Sequence, residues 1–528
     1  MGSPGVVYTK KWVARLILDL AGYTTSANLV GGRIVEPSCG EGAFIGEIVE
    51  RLCCQALDAG RFNVASLRGC LRAYDLDQSS VRKSRDVAYR CLVGHGMTSA
   101  DAKRLSRAWI IRKDFITSGW RKAQWIVGNP PYIRSRDIPR ESRKQYGSML
   151  STASMGTDLY VAFFEKGLRL LDRGASLCFI CSDRWLQNRY GARLREFVSR
   201  GFDLRVHIRM HEVDAFEDKV SAYPAISLIT RSDSDGMTKY IECDSSFGPD
   251  DVPLMKGWIH SGKDSSRGFS AAVLPSLSGA KPMPLASSET VSMLIEMAEK
   301  NPTIEDAGVQ IGIGIASGCD DVYITENPNL VEKDRLLPLF YMRDWRSGER
   351  SLKKWLVNPW RTDGLLVSLE DYPRLGKYFE SHVGELKKRR VARDHPDQWY
   401  RTLDKPNFSI LGKEMLLFPD MAGSSDPVYG DGSLYPHHNC YWLISSEWDI
   451  KALGGLLMSE LVKQYISSYG VKMRGSTLRF QAQYLRLIHI PRFSDVDENV
   501  RRELRCSFEL GDRERANSAA RRAYGLEA

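Results

Sequence analysis

Arg33-Ile-Val-Glu-Pro-Ser-Cys-Gly-Glu-Gly-Ala-Phe44 decides the fold. A short apolar run ends in the acid Glu36, a turn carries Gly40 and Gly42, and a segment of helical periodicity opens at Ala43. This is a strand, a tight turn and a helix. In a doubly wound sheet a ligand sits at such a turn, beyond the carboxyl end of the strand. Glycine lets the backbone approach that ligand without a Cβ in the way. The turn lacks the full G-x-G-x-x-G, so pyrophosphate binding is not its evident task, and an acid at the strand end suits a ligand with positive charge. By itself such a turn is a weak sign, because most serve packing.

Working outward, the first 230 or so residues alternate apolar runs with longer amphipathic segments. Candidate strands are Arg33–Glu36, Leu71–Asp75, Trp109–Lys113, Trp125–Gly128, Ala175–Cys181, Leu204–Arg209 and Ala225–Thr230. Candidate helices are Ala43–Leu57, Ser79–Val93 and Leu159–Leu171. The alternation predicts a mainly parallel, seven-stranded sheet covered by helices, closed at its end by an antiparallel hairpin of the last two strands. Residues 1–235 are expected to form this α/β domain, and 236–300, rich in Gly, Ser and Asp, a linker. Residues 301–495 have no βαβ rhythm and are read as a separate α+β domain, and 496–528 as a charged helical tail.

Composition limits the function classes. The 528 residues are 43% hydrophobic and 26% charged, which fits two to four ordinary domains and excludes a disordered or fibrous chain. The net charge of +9 permits a polyanionic partner without demanding one. Eleven cysteines are scattered, and the single C-x-x-C, Cys178 to Cys181, lies in an apolar strand where residues three apart face opposite sides. Separate reduced thiols and no metal site are therefore expected. With no apolar stretch of membrane-spanning length and no signal-peptide core, the chain is expected to be soluble and cytoplasmic.

Two more strands end in carboxylates. Asp75 in Arg72-Ala-Tyr-Asp-Leu-Asp77 can accept hydrogen bonds from both hydroxyls of a ribose. After the third strand, Asp114 can accept from an adenine amino group and Phe115 can pack on its ring. Each acid taken alone is equally well an exposed strand end, but the repetition of Glu36, Asp75 and Asp114 at matching positions carries weight. The decisive segment for chemistry is Trp125-Ile-Val-Gly-Asn-Pro-Pro-Tyr132. Its two prolines hold the backbone extended and donate nothing, so the Pro130 carbonyl and the Asn129 side-chain oxygen together offer two acceptors to one NH2 group. Tyr132 adds a ring on which a planar base can stack.

In this order the motifs resemble the gamma-class adenine-N6 DNA methyltransferases of restriction–modification systems. The opening Tyr8-Thr-Lys-Lys-Trp-Val-Ala14 matches the family's first segment, with Lys10 where the family often has proline. The resemblance implies a Rossmann-like methyltransferase domain followed by a target-recognition domain, with S-adenosylmethionine as donor. It also implies double-stranded DNA as partner, a separately encoded restriction endonuclease, and a monomer. By position, Tyr8 and Thr9 would close over the methionine moiety, and Glu36 and Asp75 would hold the ribose or methionine end. Pro37, Cys39, Gly40 and Gly42 would form the cofactor turn, Asp114 with Phe115 the adenine site, and Asn129 would face the donor as well as the base. Thr157-Asp-Leu-Tyr-Val-Ala-Phe163 resembles the helix start that lines the cofactor pocket, and Asp214-Ala-Phe-Glu-Asp-Lys-Val-Ser221 the loop whose ring, here Phe216, meets a flipped base.

The implied chemistry is direct transfer to an exocyclic amine, made nucleophilic by the two acceptors, with Asn129, Pro130, Pro131 and Tyr132 as the catalytic set. The chain has no Pro-Cys dipeptide of the kind cytosine-C5 enzymes use. Lys387, Lys388, Arg389 and Arg390, with Arg474 and Arg479, are the candidate DNA contacts, and Arg343-Asp344 also resembles the recognition domain. A solvated helix face is the plain alternative for residues 387–390. Gly257-x4-Gly262-Lys263 is followed by Asp264, not Ser or Thr, which argues against a phosphate loop, and His437-His438 lacks evident metal partners. The motifs begin by Tyr8, so no fused nuclease is expected ahead of them. The rival readings are a protein-glutamine or RNA amino-group methyltransferase sharing the Asn-Pro-Pro-Tyr loop, and a DNA-binding defence component with little catalysis.

Overall fold

The computed structural model describes residues 7–526 apart from 120, 154–155, 218–222, 234, 263–266, 343–353, 420, 423–425, 471–477 and 480. Arg343, Asp344, Arg474 and the side chain of Arg479 lie outside the described residues, as do Lys263, Asp264 and part of the 214–221 loop. Two compact units divide between Val291 and Ser292.

The first unit is built on β1 (Ile34–Glu36), β2 (Leu71–Asp75), β3 (Ile110–Arg112), β4 (Ala123–Gly128), β5 (Leu171–Ser182), β6 (Asp203–Arg209), β7 (Pro224–Thr230), β8 (Met237–Cys243) and β9 (Phe269–Pro275). They form one sheet in the order β3-β2-β1-β4-β5-β7-β6-β8-β9. Pairing from β3 through β5 is parallel. β7 then runs antiparallel between β5 and β6. All seven expected strands are present, and the expected hairpin pairs as read. The sheet nevertheless has nine strands, which corrects the count of seven, and the hairpin is not its end. Residues 236–300 are likewise no linker, for they supply β8, parallel to β6, and β9, antiparallel to β8. β8 mixes buried Thr238, Tyr240, Ile241 and Cys243 with exposed Met237 and half-buried Lys239 and Glu242, so its sequence lacks the apolar continuity of the inner strands.

Helices α1 (Lys11–Leu20), α2 (Ala43–Asp58), α3 (Val64–Leu67), α4 (Gln78–Gly94), α5 (Ser99–Trp109), α6 (Arg140–Met149) and α7 (Leu159–Leu170) fill the connections. α2 buries Phe44, Ile45, Ile48, Val49, Leu52 and Cys53, and α4 turns Val81, Ala88 and Leu92 into the same core, the stripes expected of helices lying on a sheet. α4 starts where Asp77 accepts the Ser80 N–H, an N-cap fixed by the last acid of the Tyr74-Asp-Leu-Asp77 turn.

The second unit joins an antiparallel sheet of Val309–Ile313, Cys440–Ser445, Met415–Pro419 and Val428–Gly430 with a smaller one around Leu336–Phe340 and Trp355–Val357. The segment expected as a tail is helical, over Glu498–Leu510 and Arg513–Ala523, but it is part of this unit's core. Val500, Leu504, Ala519 and Ala520 are buried with Leu453, Leu456 and Leu457 of the helix Ile450–Leu457. Apolar residues at 500, 504, 519 and 520 are few among many charges, so the charge masked the stripe.

Candidate active site

The order β3-β2-β1-β4 brings the carboxyl ends of these four strands side by side, and each ends in, or within two residues of, a residue singled out from sequence. A cavity of about 720 Å³ opens there. It is lined by Tyr8, Thr9, Glu36, Pro37, Cys39, Gly40, Asp75, Asp114, Phe115, Asn129, Pro130, Pro131 and Tyr132. Leu159 and Phe163 of α7 also face it, as the Thr157–Phe163 match implied. Gly42 lies below the cavity as the N-cap of α2, with φ +95°, and a Cβ there would stand 3.3 Å from the Ser84 backbone of α4. Phe216 is not in the cavity wall. It is 4% exposed and meets Tyr132 edge-on, with ring centroids 6.4 Å apart.

Asn129 is positioned from three sides. Its Nδ2 donates to the Val7 carbonyl at 3.0 Å and to Thr9 Oγ1 at 3.2 Å. Because a carbonyl can only accept, the Val7 contact fixes which end of the amide is nitrogen. The Ser38 hydroxyl donates to the Asn129 main-chain carbonyl at 2.9 Å. Before it stands Gly128, with φ +153°, where a Cβ would be 3.3 Å from Pro37 Cδ and would press the two strand ends apart. The segment holding Val7 and Thr9 is itself tied down. Lys10 N–H donates to Ala215 O at 3.0 Å, Glu217 N–H to Tyr8 O at 2.9 Å, and Lys10 Nζ pairs with Asp214.

Three buried polar atoms in this cluster have no hydrogen-bond partner among the described residues: Glu36 Oε2, Asn129 Oδ1 and the Tyr132 hydroxyl. Buried polar atoms are ordinarily paired, so three orphans around one cavity mark the place of a polar ligand. Burial, with the nearby Asp75 charge, raises the Glu36 carboxyl well above its ordinary range, and burial does the same to the Tyr132 phenol and the Cys39 thiol. Tyr8 is pushed up to about 12 by burial and its hydrogen bond to Glu41. Asp114 accepts Ile116 N–H at 2.8 Å and the Tyr146 hydroxyl at 3.0 Å. Tyr146, on α6, lines the cavity too. Sequence reading missed it, since α6 is a polar helix without a motif.

Residues 387–390 do not act as one patch. Lys387, Lys388 and Arg390 are exposed, but Arg389 is half-buried and its guanidinium donates to the Tyr323 hydroxyl at 3.1 Å, Trp399 O at 2.8 Å and Arg401 O at 2.9 Å. Its place among the phosphate contacts is therefore corrected to an internal tie of the second unit. The eleven cysteines are free thiols, as expected, but several lie close to other ligating side chains. Cys53, Cys91 and His95 bring ligand atoms within 4.8 Å of one another, as do Glu50, Cys54 and His95, and Asp320 joins His437 and His438. Packing of α2 on α4 unites residues about forty apart in sequence, which spacing alone does not reveal.

Comparison with known proteins places the chain. The Eco57I restriction-modification methylase family matches residues 70–216. The Type II methyltransferase M.XhoI of Xanthomonas vasicola is 35% identical over 536 residues, covering 99% of this chain and 97% of its own. M.PaeR7I of Pseudomonas aeruginosa is 37% identical over 531 residues, covering 99% and 92%. The chain belongs to the Type II restriction–modification methyltransferases. Among solved structures, the Type IIL restriction-modification enzyme MmeI in complex with DNA matches over 98% of this chain and 74% of its own, with a TM-score of 0.61 at 13% identity, a likeness of fold. The methyl donor of this Type II methyltransferase is S-adenosylmethionine. The cavity fits it, with carboxylates for hydroxyl and ammonium groups, the Phe115 and Phe163 rings for a planar base, and three unpaired polar atoms. Among the described residues no helix is long and apolar enough to cross a membrane.

Proposed function

We propose that this chain methylates the N6 amine of an adenine flipped out of duplex DNA, as the modification enzyme of a restriction–modification system with a separate endonuclease. The observation that carries the reading is the buried, unpaired Oδ1 of Asn129, whose direction is set by the Val7 contact of Nδ2. That oxygen and the Pro130 carbonyl accept the two N–H groups of the amine. The adenine lone pair, otherwise delocalised into the ring, is thereby localised on nitrogen. S-adenosylmethionine supplies a methyl group on a sulfonium, the electrophile this nitrogen needs. Glu36 and Asp75 hold the donor's ribose and methionine end, Asp114 and Phe115 its adenine, and Tyr8 and Thr9 cover the methionine. Tyr132 replaces the stacking that the base loses on leaving the duplex, with Phe216 bracing the Tyr132 ring. No covalent enzyme intermediate is required.

The second unit reads DNA in this proposal, with Lys387, Lys388 and Arg390 neutralising phosphates. Support comes from the MmeI likeness, a DNA complex of the same fold. The test is to incubate duplex DNA with labelled donor and hydrolyse it to nucleosides. Label is expected in N6-methyladenine, and Asn129→Ala is expected to lower turnover by about 10²–10³-fold while DNA is still bound. Label in cytosine, in tRNA or in protein would overturn the proposal.

A further inference from the structure

α2 and α4 meet on a second cluster of reactive side chains, outside the lining of the methyl-transfer cavity. Glu50 and Cys54 are one helical turn apart on α2, and Cys91 lies in the last turn of α4, whose C-cap is His95. Their ligand atoms form two triads that share His95, one with Glu50 and Cys54 and one with Cys53 and Cys91. His95 Nδ1 lies 2.9 Å from the Cys91 carbonyl, and because a carbonyl only accepts, Nδ1 is the donor there and Nε2 is the ring nitrogen turned toward the other side chains. Nε2 faces Glu50 Oε1 at 3.4 Å and Cys54 Sγ at 3.9 Å. Cys91 Sγ lies 3.3 Å from Glu50 Oε2, and Cys53 brings a further thiol within 4.8 Å of Cys91 and His95.

We propose that Glu50, Cys54 and His95 Nε2, with Cys91 as the adjacent fourth ligand, bind a soft divalent cation of the zinc class. Tetrahedral zinc with bonds of about 2.3 Å to sulfur and about 2.0 Å to nitrogen holds its ligand atoms roughly 3.3–3.8 Å apart. The Glu50–Nε2 and Cys54–Nε2 separations already approach that spacing, whereas Cys91 Sγ lies 3.3 Å from Glu50 but 4.0 Å from His95 Nδ1, so it must turn toward the cation to complete the set. A thiolate–imidazole–carboxylate set selects zinc-like ions over magnesium or calcium. The Nδ1 contact to a carbonyl is the outer-shell partner that orients a metal-bound histidine. An entry path exists, because Glu50 is about half exposed and a neighbouring cavity of about 750 Å³ is lined by Glu50, Arg90 and Cys91. An ordinary Glu50–His95 ion pair would account for those two side chains but not for thiols flanking them from both helices.

The cation would fasten α2 to α4. Glu50 lies eight residues beyond Gly42, about 12 Å along the helix from the cofactor turn. Ser84 of α4 donates to Gly40 O at 2.8 Å, so both helices carry that turn. The role is structural and stands independently of the methylation reading.

The probe is Co2+ added to the reduced, chelator-treated full chain. One equivalent is expected to give the visible absorption of a tetrahedral thiolate-bound ion and to be displaced by Zn2+. Cys54→Ser and His95→Gln are each expected to weaken uptake at least about 100-fold, whereas Cys319→Ser in the second unit leaves it unchanged. On the unsubstituted chain, Zn2+ is expected to protect Cys54 and Cys91 from alkylation, read by peptide mass spectrometry. No thiolate–cobalt absorption, undiminished uptake in both variants, or equal alkylation with and without Zn2+ would each overturn the proposal.

Discussion

Asp75 Oδ2 accepts the main-chain N–H of Gly40 at 2.9 Å, which ties the end of β2 to the turn that follows β1. Its other oxygen accepts Asp77 N–H, also at 2.9 Å. One carboxylate thus shapes the turn after β1, and in the proposed role its remaining lone pairs take the donor's hydroxyl groups. Asp75→Asn preserves the shape but loses the charge and replaces one acceptor by a donor. Donor affinity, measured calorimetrically, is expected to fall about 10–100-fold, the range of a charged hydrogen bond. Unchanged affinity would confine Asp75 to the turn.

Glu36 gives a pH-dependent signature. Its carboxyl is raised above an ordinary 4.5 by burial and by Asp75, so the folded chain holds the proton more tightly than the unfolded one. The stability this contributes is complete below about pH 4.5 and is lost as pH rises through the folded value. Glu36→Gln is therefore expected to melt higher than the parent at neutral pH, with a flatter dependence above pH 4.5, while binding donor more weakly. Melting curves across pH check the first expectation and donor titration the second. A lower melting point at neutral pH would contradict the burial argument.

Tyr146 is the least obvious member of the site. Tyr146→Phe removes the hydrogen bond to Asp114 and almost nothing else. We expect KM for the donor to rise about two- to tenfold, as for loss of one modest hydrogen bond, with kcat nearly constant. A loss in kcat alone would move Tyr146 from the donor side of the cavity to the chemical step.

Arg389 and its neighbours should separate cleanly. Arg389→Ala is expected to destabilise the second unit by about 2–4 kcal/mol, because three carbonyl or hydroxyl acceptors lose a charged donor. Lys387→Glu with Lys388→Glu should leave the melting temperature nearly unchanged. That pair should lower DNA affinity and reduce the slope of log affinity against log salt by about 2. An unaltered slope would return both lysines to the solvated helix face.

The legible part of the fold was the part in which local pattern and position coincide. β1, β2 and β4 are short and apolar and end in Glu36, Asp75 and Gly128-Asn129, so each announces both its strand and its cavity residue. β8 was hidden because Lys239 and Glu242 interrupt its apolar face. Arg389 could not be told from Lys388, since only the fold brings Tyr323, Trp399 and Arg401 around one of them. Val7 was not singled out for the same reason: its carbonyl matters through a contact 122 residues away. Cys54 and His95 share a site only because two helices pack. Short-range grammar is visible along the chain, and encounters between distant segments are not.

The bridge between Thr9 and Phe216 has a consequence for biosynthesis. Asn129 is held by Val7 and Thr9, and their neighbours Tyr8 and Lys10 are held by residues 217 and 215. A nascent polypeptide that has not yet released residue 217 from the ribosome lacks the clasp on its own beginning. Competence to hold the amide in place arrives late in synthesis of the first unit, well after residues 129–132 have been made.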